Sequence, residues 1–236
     1  MPEENEKMIA GLRDRFAAVR GAIERAAGRS GRELNEIRLV AVSKTHPADV
    51  LKAAIEAGAT DFGENRVQEA EAKIVEIGRE KAVWHLIGNL QANKARKASR
   101  LFDLIHSLDS IDLAERLERI CAEENRENLD VLIQVDLAGE TTKSGAPEKD
   151  LPALVEYLRQ CSHLKLKGLM TLPPFFEDAE QARPFFRRLR EIRDEIFGEK
   201  RAELSMGMSH DFEIAIEEGA TIVRVGTAIF GAREKF

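Results

Sequence analysis

The chain has 236 residues, of which 43% are hydrophobic and 33% are charged, and its formal net charge is −6. This length suits two small domains or one α/β barrel of about 250 residues, and the acidic balance argues against general nucleic-acid binding. The two distant cysteines, Cys121 and Cys161, offer neither a disulfide framework nor a zinc motif. The acidic start lacks the apolar run of a secretory signal, and no run of about 18 apolar residues could span a membrane. We therefore expect a cytoplasmic protein.

The first predicted element is an amphipathic helix over about residues 5–27. Its apolar residues recur at spacings of three and four, which places them on one face: Ile9, Leu12, Phe16, Val19 and Ile23.

Short apolar runs then alternate with amphipathic stretches, a pattern typical of repeated βα units. The predicted strands cover residues 38–43, a short run into 61–65, and then 83–87, 104–107, 131–135, 166–170, 203–206 and 221–225. The predicted helices cover residues 48–57, 66–77, 91–99, 111–124, 151–160, 179–196 and 212–218.

Eight strands alternating with helices favour the α/β class and a single (β/α)8 TIM barrel. No linker rich in Pro, Gly and Ser divides the chain, so we expect one domain over residues 1–236, with the N-terminal helix packed outside the barrel. An open, doubly wound sheet is the alternative that the same alternation permits.

Lys44 stands where the first predicted strand ends, because four apolar residues precede Ser43 and Pro47 follows closely. The carboxyl ends of barrel strands carry reactive groups, and a lysine near an apolar core can act as a nucleophilic amine. A surface lysine just beyond the strand is the other interpretation, and this stretch alone does not decide between them.

A phosphate site is predicted after the last two strands, where barrels often bind phosphate. Ser209 stands at a helix N-cap position, so the backbone N–H groups after it could face an anion. Gly226 permits close backbone approach and Thr227 adds a hydroxyl group. Each residue alone has an ordinary structural explanation, but together in these two loops they indicate an anion site.

Arg224 is the charged residue of the last strand, on the same face as Ile222 and Gly226. A buried guanidinium needs an acceptor. That acceptor could be a carboxylate such as Glu64, or an aromatic nitrogen or anionic group of a ligand. Lys44, a phosphate site and Arg224 together suit an aldehyde that carries a phosphate ester, and pyridoxal 5′-phosphate (PLP) is the commonest such ligand.

Six motifs resemble those of the pyridoxal phosphate homeostasis protein family, over about residues 38–232. They are Ala41–Lys44 (AVSK), Phe62–Asn65 (FGEN), His85–Lys94 (HLIGNLQANK), Gly168–Met170 (GLM), Leu204–Ser209 (LSMGMS) and Val223–Gly231 (VRVGTAIFG). The resemblance implies a barrel similar to the N-terminal domain of alanine racemase.

The resemblance also implies roles for six residues in binding PLP. Lys44 would form the internal aldimine, a Schiff base, while Ser209, Gly226 and Thr227 would hold the phosphate. Arg224 would face the pyridine nitrogen, and Asn65 would lie near the ring. By this resemblance the protein would be a carrier or buffer of PLP in vitamin B6 homeostasis, with apo PLP-dependent enzymes as transient recipients.

Rapid catalysis is not expected from such a site. A guanidinium does not readily give up a proton, so a ring nitrogen facing Arg224 would stay unprotonated and would stabilise carbanions poorly. Racemases add a tyrosine base from another domain or subunit, whereas the one tyrosine here, Tyr157, falls inside a predicted helix. We therefore predict a non-catalytic binding protein with at most trace racemase activity, and a monomer, since no second racemase domain is evident.

Two further classes remain as alternatives to a PLP carrier or weak racemase. A class I aldolase would use a strand lysine such as Lys165 or Lys167. A nucleic-acid or protein-interaction module could use the basic run 93–100, although a solvated helix face explains that run as well. The five histidines lack the spacing of metal ligands, so no metal site is predicted.

Overall fold

Eight parallel strands form the centre of the computed structural model, which describes residues 2–139, 144–198 and 202–231. The strands are β1 (Arg38–Val42), β2 (Asp61–Glu64), β3 (Val83–Leu86), β4 (Leu104–Leu108), β5 (Leu129–Asp136), β6 (Leu164–Met170), β7 (Glu203–Met208) and β8 (Ile222–Val225). A further two-residue strand, Ala146–Pro147, pairs with the end of β5.

Helices follow the strands in the alternation that the sequence predicts. The α-helices are α1 (Pro2–Arg29), α2 (Ala48–Glu56), α3 (Val67–Ile77), α4 (Ala95–Leu101), α5 (Ile111–Glu123), α6 (Leu151–Gln160), α7 (Arg183–Phe197), α8 (Phe212–Glu217) and α9 (Thr227–Phe230). Short 3₁₀ turns occupy Leu34–Glu36, Arg79–Lys81, Ala92–Lys94, Glu148–Asp150 and Ala179–Ala182.

The sheet closes on itself, because β1 pairs with β8 as well as with β2, and β4 pairs with β5. In this register Val40 lies opposite Arg224, and Val42 lies opposite Gly63. The closed order confirms the (β/α)8 barrel and excludes the open, doubly wound sheet. It also places the carboxyl end of β1 between those of β2 and β8.

The main hydrophobic core lies between the barrel and its helices. Phe62 and Trp84 stack there with ring centroids 5.5 Å apart, and both side chains are fully buried. The predicted N-terminal helix is present and packs against α2 and α8. Its apolar side chains Phe16 and Ile23 join the same core.

A second, smaller apolar cluster lies apart from this core and includes the inward residue Ile222 of β8. Its buried members are Val40, Leu104, Leu132, Met170 and Ile222, from five different strands. Val223 and Val225 belong instead to the outer core. The alternation along β8 therefore directs Arg224 into the barrel, as the strand pattern predicts.

Four predicted segments differ from the structure or fall partly outside it. The predicted helix over 91–99 divides into a 3₁₀ turn and α4, and the predicted helix over 179–196 begins with a 3₁₀ turn ahead of Pro184. The sequence predicts a loop over 226–231, whereas Thr227–Phe230 is helical. The sequence also predicts a loop rich in Gly and Thr over 139–145, which includes residues outside the described ranges. Within those ranges, no helix combines the length and apolar character needed to cross a membrane.

Candidate functional site

Lys44 begins the turn that follows β1, and it is half-buried. The next residue, Thr45, has a φ of +70°, which is a left-handed conformation that β-branched residues rarely adopt. Such backbone costs about 1–3 kcal/mol and is concentrated at functional sites. The amide of Thr45 donates to Glu69 Oε1 at 2.5 Å, which holds the strained turn in place.

A buried polar cluster supports this turn from the helix side. Lys73 Nζ donates to the backbone oxygen of Ser43 at 2.8 Å and forms ion pairs with Glu64 at 2.6 Å and Glu69 at 2.7 Å. Ser43 Oγ also donates to Glu64, at 2.6 Å. Burial raises the pKa of Glu64, although the charge of Lys73 opposes the shift.

The sequence left open an ion pair between Glu64 and Arg224, and that alternative is wrong. Glu64 follows Phe62 by two positions, and Phe62 packs in the outer core. The carboxylate therefore points out of the barrel toward α3, where Lys73 meets it, whereas Arg224 points inward.

The loops after β7 and β8 are joined by a hydrogen bond between two of the predicted phosphate-site residues. The amide of Gly226 donates to Ser209 Oγ at 3.0 Å. Gly226 also lies against β1, because a Cβ atom at this position would be 3.3 Å from Val42 Cβ. Thr227 follows as the exposed first residue of α9, whose first N–H groups have no partner within the helix.

Ser209 does not cap the helix that follows it, so the N-cap prediction is wrong. Helix α8 begins at Phe212, and Asp211 occupies the N-cap position. Asp211 Oδ1 accepts the amide of Met208 at 2.6 Å and closes the loop. This tight turn directs the Ser209 hydroxyl toward Gly226 instead of along α8.

Arg224 is buried inside the barrel, with an exposed fraction of 2%. Its Nη1 donates to Ser205 Oγ at 2.5 Å, and its Nη2 donates to the backbone oxygen of Thr171 at 3.0 Å. Burial lowers the pKa of Arg224 to about 10, with the charge of Asp211 opposing the shift. The guanidinium therefore stays charged at neutral pH without a carboxylate in contact among the described residues.

Asn65 directly follows β2 and is half-buried. The backbone of Gly88 packs against it so closely that a Cβ atom on Gly88 would be 2.3 Å from the oxygen of Asn65. The paired register of β1 with β2 and β8 brings the loops that carry Lys44, Asn65 and Thr227 to one end of the barrel. The chemistry-bearing residues from four separate chain segments thus converge.

The structure also contains a buried group of polar residues that the sequence patterns did not predict. His85 and His106, on the adjacent strands β3 and β4, approach within 2.9 Å, Nδ1 to Nε2. His85 lies inside the barrel, with no exposed surface. Strand alternation could have indicated this pair, since both histidines stand in the middle of apolar runs.

The rival lysines lie away from the mouth of the barrel. Lys165 donates to the backbone oxygen of Ser162 at 2.8 Å, and Lys167 lies 3.5 Å from Asp130. Both precede the carboxyl end of β6. This arrangement disfavours an aldolase-like Schiff base on β6.

The basic run 93–100 is largely neutralised by carboxylates. Arg96 and Arg100 both bind Glu124, at 2.6 and 2.7 Å, and Lys97 binds Glu71 at 2.5 Å. These pairs account for the run as a solvated helix face.

Tyr157 lies on α6, outside the barrel, and packs against the main core. Burial raises its pKa to about 12. Neither its position nor its pKa suits a base at a strand end. Within the described part of the chain, no group of three or more His, Cys, Asp or Glu side chains is arranged to hold a metal ion.

Comparisons with known proteins identify the family of the chain. Residues 17–234 match the family model described as alanine racemase, N-terminal domain. The pyridoxal phosphate homeostasis protein of Aquifex aeolicus is 44% identical over 94% of this chain and 98% of its own length. The Escherichia coli K12 protein of the same name is 42% identical over 93% of this chain and 95% of its own length.

Solved structures give the same result for the fold. PipY of Synechococcus elongatus with PLP bound is 40% identical, with a TM-score of 0.82 over 93% of this chain and 100% of that one. Alanine racemase of Corynebacterium glutamicum is 19% identical, with a TM-score of 0.66 over 97% of this chain and 61% of that one, which shows the shared barrel alone. The chain belongs to the pyridoxal phosphate homeostasis protein family, built on the barrel of the alanine racemase N-terminal domain.

Proposed function

We propose that this protein binds PLP and serves in its homeostasis, as a carrier or buffer. The observation that carries the proposal is the convergence of Lys44, the Ser209–Gly226 pair and Arg224 at one end of the barrel. The names of the relatives and the PLP-bound structure of PipY support it.

The residues present fit the phosphate of PLP. Gly226 lies where a side chain would crowd Val42, so the backbone itself borders the site. Ser209 is fixed by the Gly226 amide at 3.0 Å, and its hydroxyl hydrogen is therefore available to an anion. Thr227 adds a second hydroxyl beside the first amides of α9.

Lys44 would hold the cofactor covalently. Its uncharged amine would be the group that attaches to the aldehyde carbon, with the aldehyde oxygen lost as water. Hydrogen bonds to the backbone of Ser43 and of Thr45 fix the backbone position of Lys44, from which its side chain extends. Asn65 would border the ring from the end of β2.

Arg224 would donate a hydrogen bond to the ring nitrogen without protonating it. A bound PLP can act as an electron sink, but an unprotonated ring weakens that capacity. Tyr157 lies outside the barrel and does not supply a second base. We therefore propose a non-catalytic binder, with racemase turnover at most in trace amounts.

Delivery is the natural use of a site that holds an aldehyde reversibly. We propose that the protein works in the cytoplasm as a monomer and passes PLP to apo-enzymes that depend on it. The test is whether the loaded protein reactivates an apo-enzyme faster than PLP dissociates into solution. Equal rates would favour simple buffering.

Binding is tested by titrating the protein with PLP and with pyridoxal, which lacks the phosphate. We expect one equivalent of PLP to bind, and Ser209→Ala to weaken PLP about tenfold while leaving pyridoxal unchanged. Ser162→Ala, at an exposed loop position, is the matched control. Equal affinity for both ligands would contradict the phosphate site, and rapid turnover of D- or L-alanine would contradict the non-catalytic assignment.

A further inference from the structure

A continuous line of buried polar side chains runs through the barrel behind Arg224. Ser205 Oγ meets Arg224 Nη1 at 2.5 Å and His106 Nδ1 at 2.8 Å. His106 Nε2 meets His85 Nδ1 at 2.9 Å, and His85 Nε2 meets Asp61 Oδ1 at 3.0 Å. The five residues come from five different strands, and the contact of β4 with β7 crosses the barrel interior.

The direction of each hydrogen bond follows from which groups can donate. Arg224 has only donors, so Ser205 Oγ accepts from it. Among the described contacts of the Ser205 hydroxyl group, His106 Nδ1 is the acceptor that remains for the hydroxyl proton. That nitrogen therefore carries no proton of its own. A neutral His106 then donates from Nε2 to His85, and His85 donates from Nε2 to Asp61.

The electrostatics bear on the charge states of His106 and Asp61. Burial lowers the pKa of His106 far below its usual value, and the charges of His85 and Arg224 act the same way. Burial alone would raise the pKa of Asp61, but hydrogen bonds from His85 and Thr60 and the charges of His85 and Arg38 lower it overall. The lowered pKa of His106 therefore keeps its ring neutral, and the lowered pKa of Asp61 keeps its carboxylate ionised at the end of the line.

We propose that Ser205, His106, His85 and Asp61 form a relay that positions Arg224 as a hydrogen-bond donor to the ring nitrogen of PLP. The assignment of the ring nitrogen rests on the proposed function. The relay itself rests on the contacts within the chain.

The relay explains how the guanidinium can be held in position and still keep N–H groups available for PLP. A carboxylate in direct contact would occupy its planar fork with two parallel hydrogen bonds. Ser205 and Thr171 together take only two of its five N–H groups among the described contacts. Asp61 ends the line on the far side, beside Arg38 at 3.8 Å.

The relay can be tested without cofactor by ¹⁵N NMR of the histidine side chains, assigned with single His→Asn variants. We expect a neutral Nε2–H tautomer at His106, and a proton on Nε2 and none on Nδ1 at His85, in spectra recorded at about pH 8. A charged ring, or an Nδ1–H tautomer, at either position would overturn the relay. This result does not depend on whether PLP binds.

The effect on the cofactor is tested with Ser205→Ala and Asp61→Asn, two small substitutions whose folding is checked by circular dichroism. After loading with PLP, the midpoint of the pH titration of the bound cofactor's visible absorbance should move by about one pH unit in each. His163→Gln is the matched control, because His163 also contacts a carboxylate, Glu118 at 2.9 Å, but outside the barrel.

Three outcomes separate the relay from the proposed function. A shift in both relay variants and none in His163→Gln supports the relay. Unchanged titration in folded, PLP-loaded Ser205→Ala and Asp61→Asn overturns it. Failure of the unmodified protein to bind PLP contradicts the proposed function instead, while the histidine tautomers still decide the relay.

Discussion

At the scale of single residues, the backbone next to Lys44 is held by Lys73, a residue outside the proposed PLP site. Lys73 is almost fully buried and holds the backbone oxygen of Ser43, the residue just before Lys44. Its charge is opposed by Glu64, whose second oxygen, Oε2, is buried without a hydrogen-bond partner in the described part of the chain. Removing Lys73 would therefore leave the buried charge of Glu64 uncompensated, which destabilises the fold.

Replacing Lys73 with methionine should lower the free energy of unfolding by about 3–5 kcal/mol, because Glu64 is left buried and unpaired. Urea denaturation measures the loss. Lys52→Met is the control, since Lys52 is paired with Asp49 and Glu76 in solvent, and its midpoint should hardly change. Adding Glu64→Gln to Lys73→Met should recover much of the loss. Equal losses in the two single lysine variants would contradict a structural role for the buried pair.

The sequence could place some site residues but not their partners. Strand alternation alone predicts that Arg224 points into the barrel. The apolar run before Lys44 predicts that β1 ends close to this residue. The partner of Ser209 was not predictable, because Gly226 is 17 positions away and meets it only once the barrel closes. The His85–His106 contact joins neighbouring strands, and strand alternation could have indicated it.

At the scale of elements, a carboxylate on α5 ties that helix to the start of β6. Glu118 accepts from the amides of Ser162, His163 and Leu164 and from the ring of His163. Burial alone would raise the pKa of Glu118, but these hydrogen bonds lower it overall. One side chain thus satisfies the amides of a loop between a helix and a strand.

Glu118→Ala should cost about 2–3 kcal/mol, since several amides lose their acceptor together. Glu115→Ala, an exposed position on the same helix, is the control and should change stability little. Thermal or urea unfolding of both variants is the measurement. A loss no larger than that of Glu115→Ala would mean that water replaces the carboxylate at no cost.

Most elements were predictable from periodicity, and the failures have local causes. Helix α6 coincides with its predicted range of 151–160, since its apolar spacing is regular. Helix α9 was missed because four residues that begin with a β-branched threonine carry no helical period. The 3₁₀ turns at Ala92–Lys94 and Ala179–Ala182 continue the helical pattern in sequence but not in geometry.

At the scale of the whole molecule, the described charged side chains form many local ion pairs instead of one extended patch of a single sign. The basic residues of α4 face carboxylates of α3 and α5, and Arg183 and Arg187 of α7 both bind Glu218. The net charge of −6 is therefore spread over a mixed surface. We expect no retention on DNA at physiological salt.

These pairs predict a loss of stability in acid. The pKa values of Glu118, Glu217 and Glu218 are lowered on folding, and that of Glu124 falls to about 2 through hydrogen bonds from Arg100 and Arg96. A carboxyl with a lowered pKa stabilises the fold above its unfolded pKa of 4.5 and loses that contribution as pH falls through its folded value. Glu64, Asp109 and Asp211, whose pKa values burial raises, oppose this in part.

The urea midpoint should therefore be lower at about pH 3 than at about pH 6. Glu118→Gln should reduce the difference, because it removes one of the titrating groups. A midpoint that does not fall between these two pH values would contradict the direction of the shifts.

The central claim is that Lys44, at the end of β1, holds PLP. The direct measurement is borohydride reduction of the PLP-loaded protein, followed by peptide mass mapping. We expect the cofactor mass on Lys44, and none after Lys44→Ala. An unmodified Lys44 with the label on Lys73, Lys165 or Lys167 would contradict the claim.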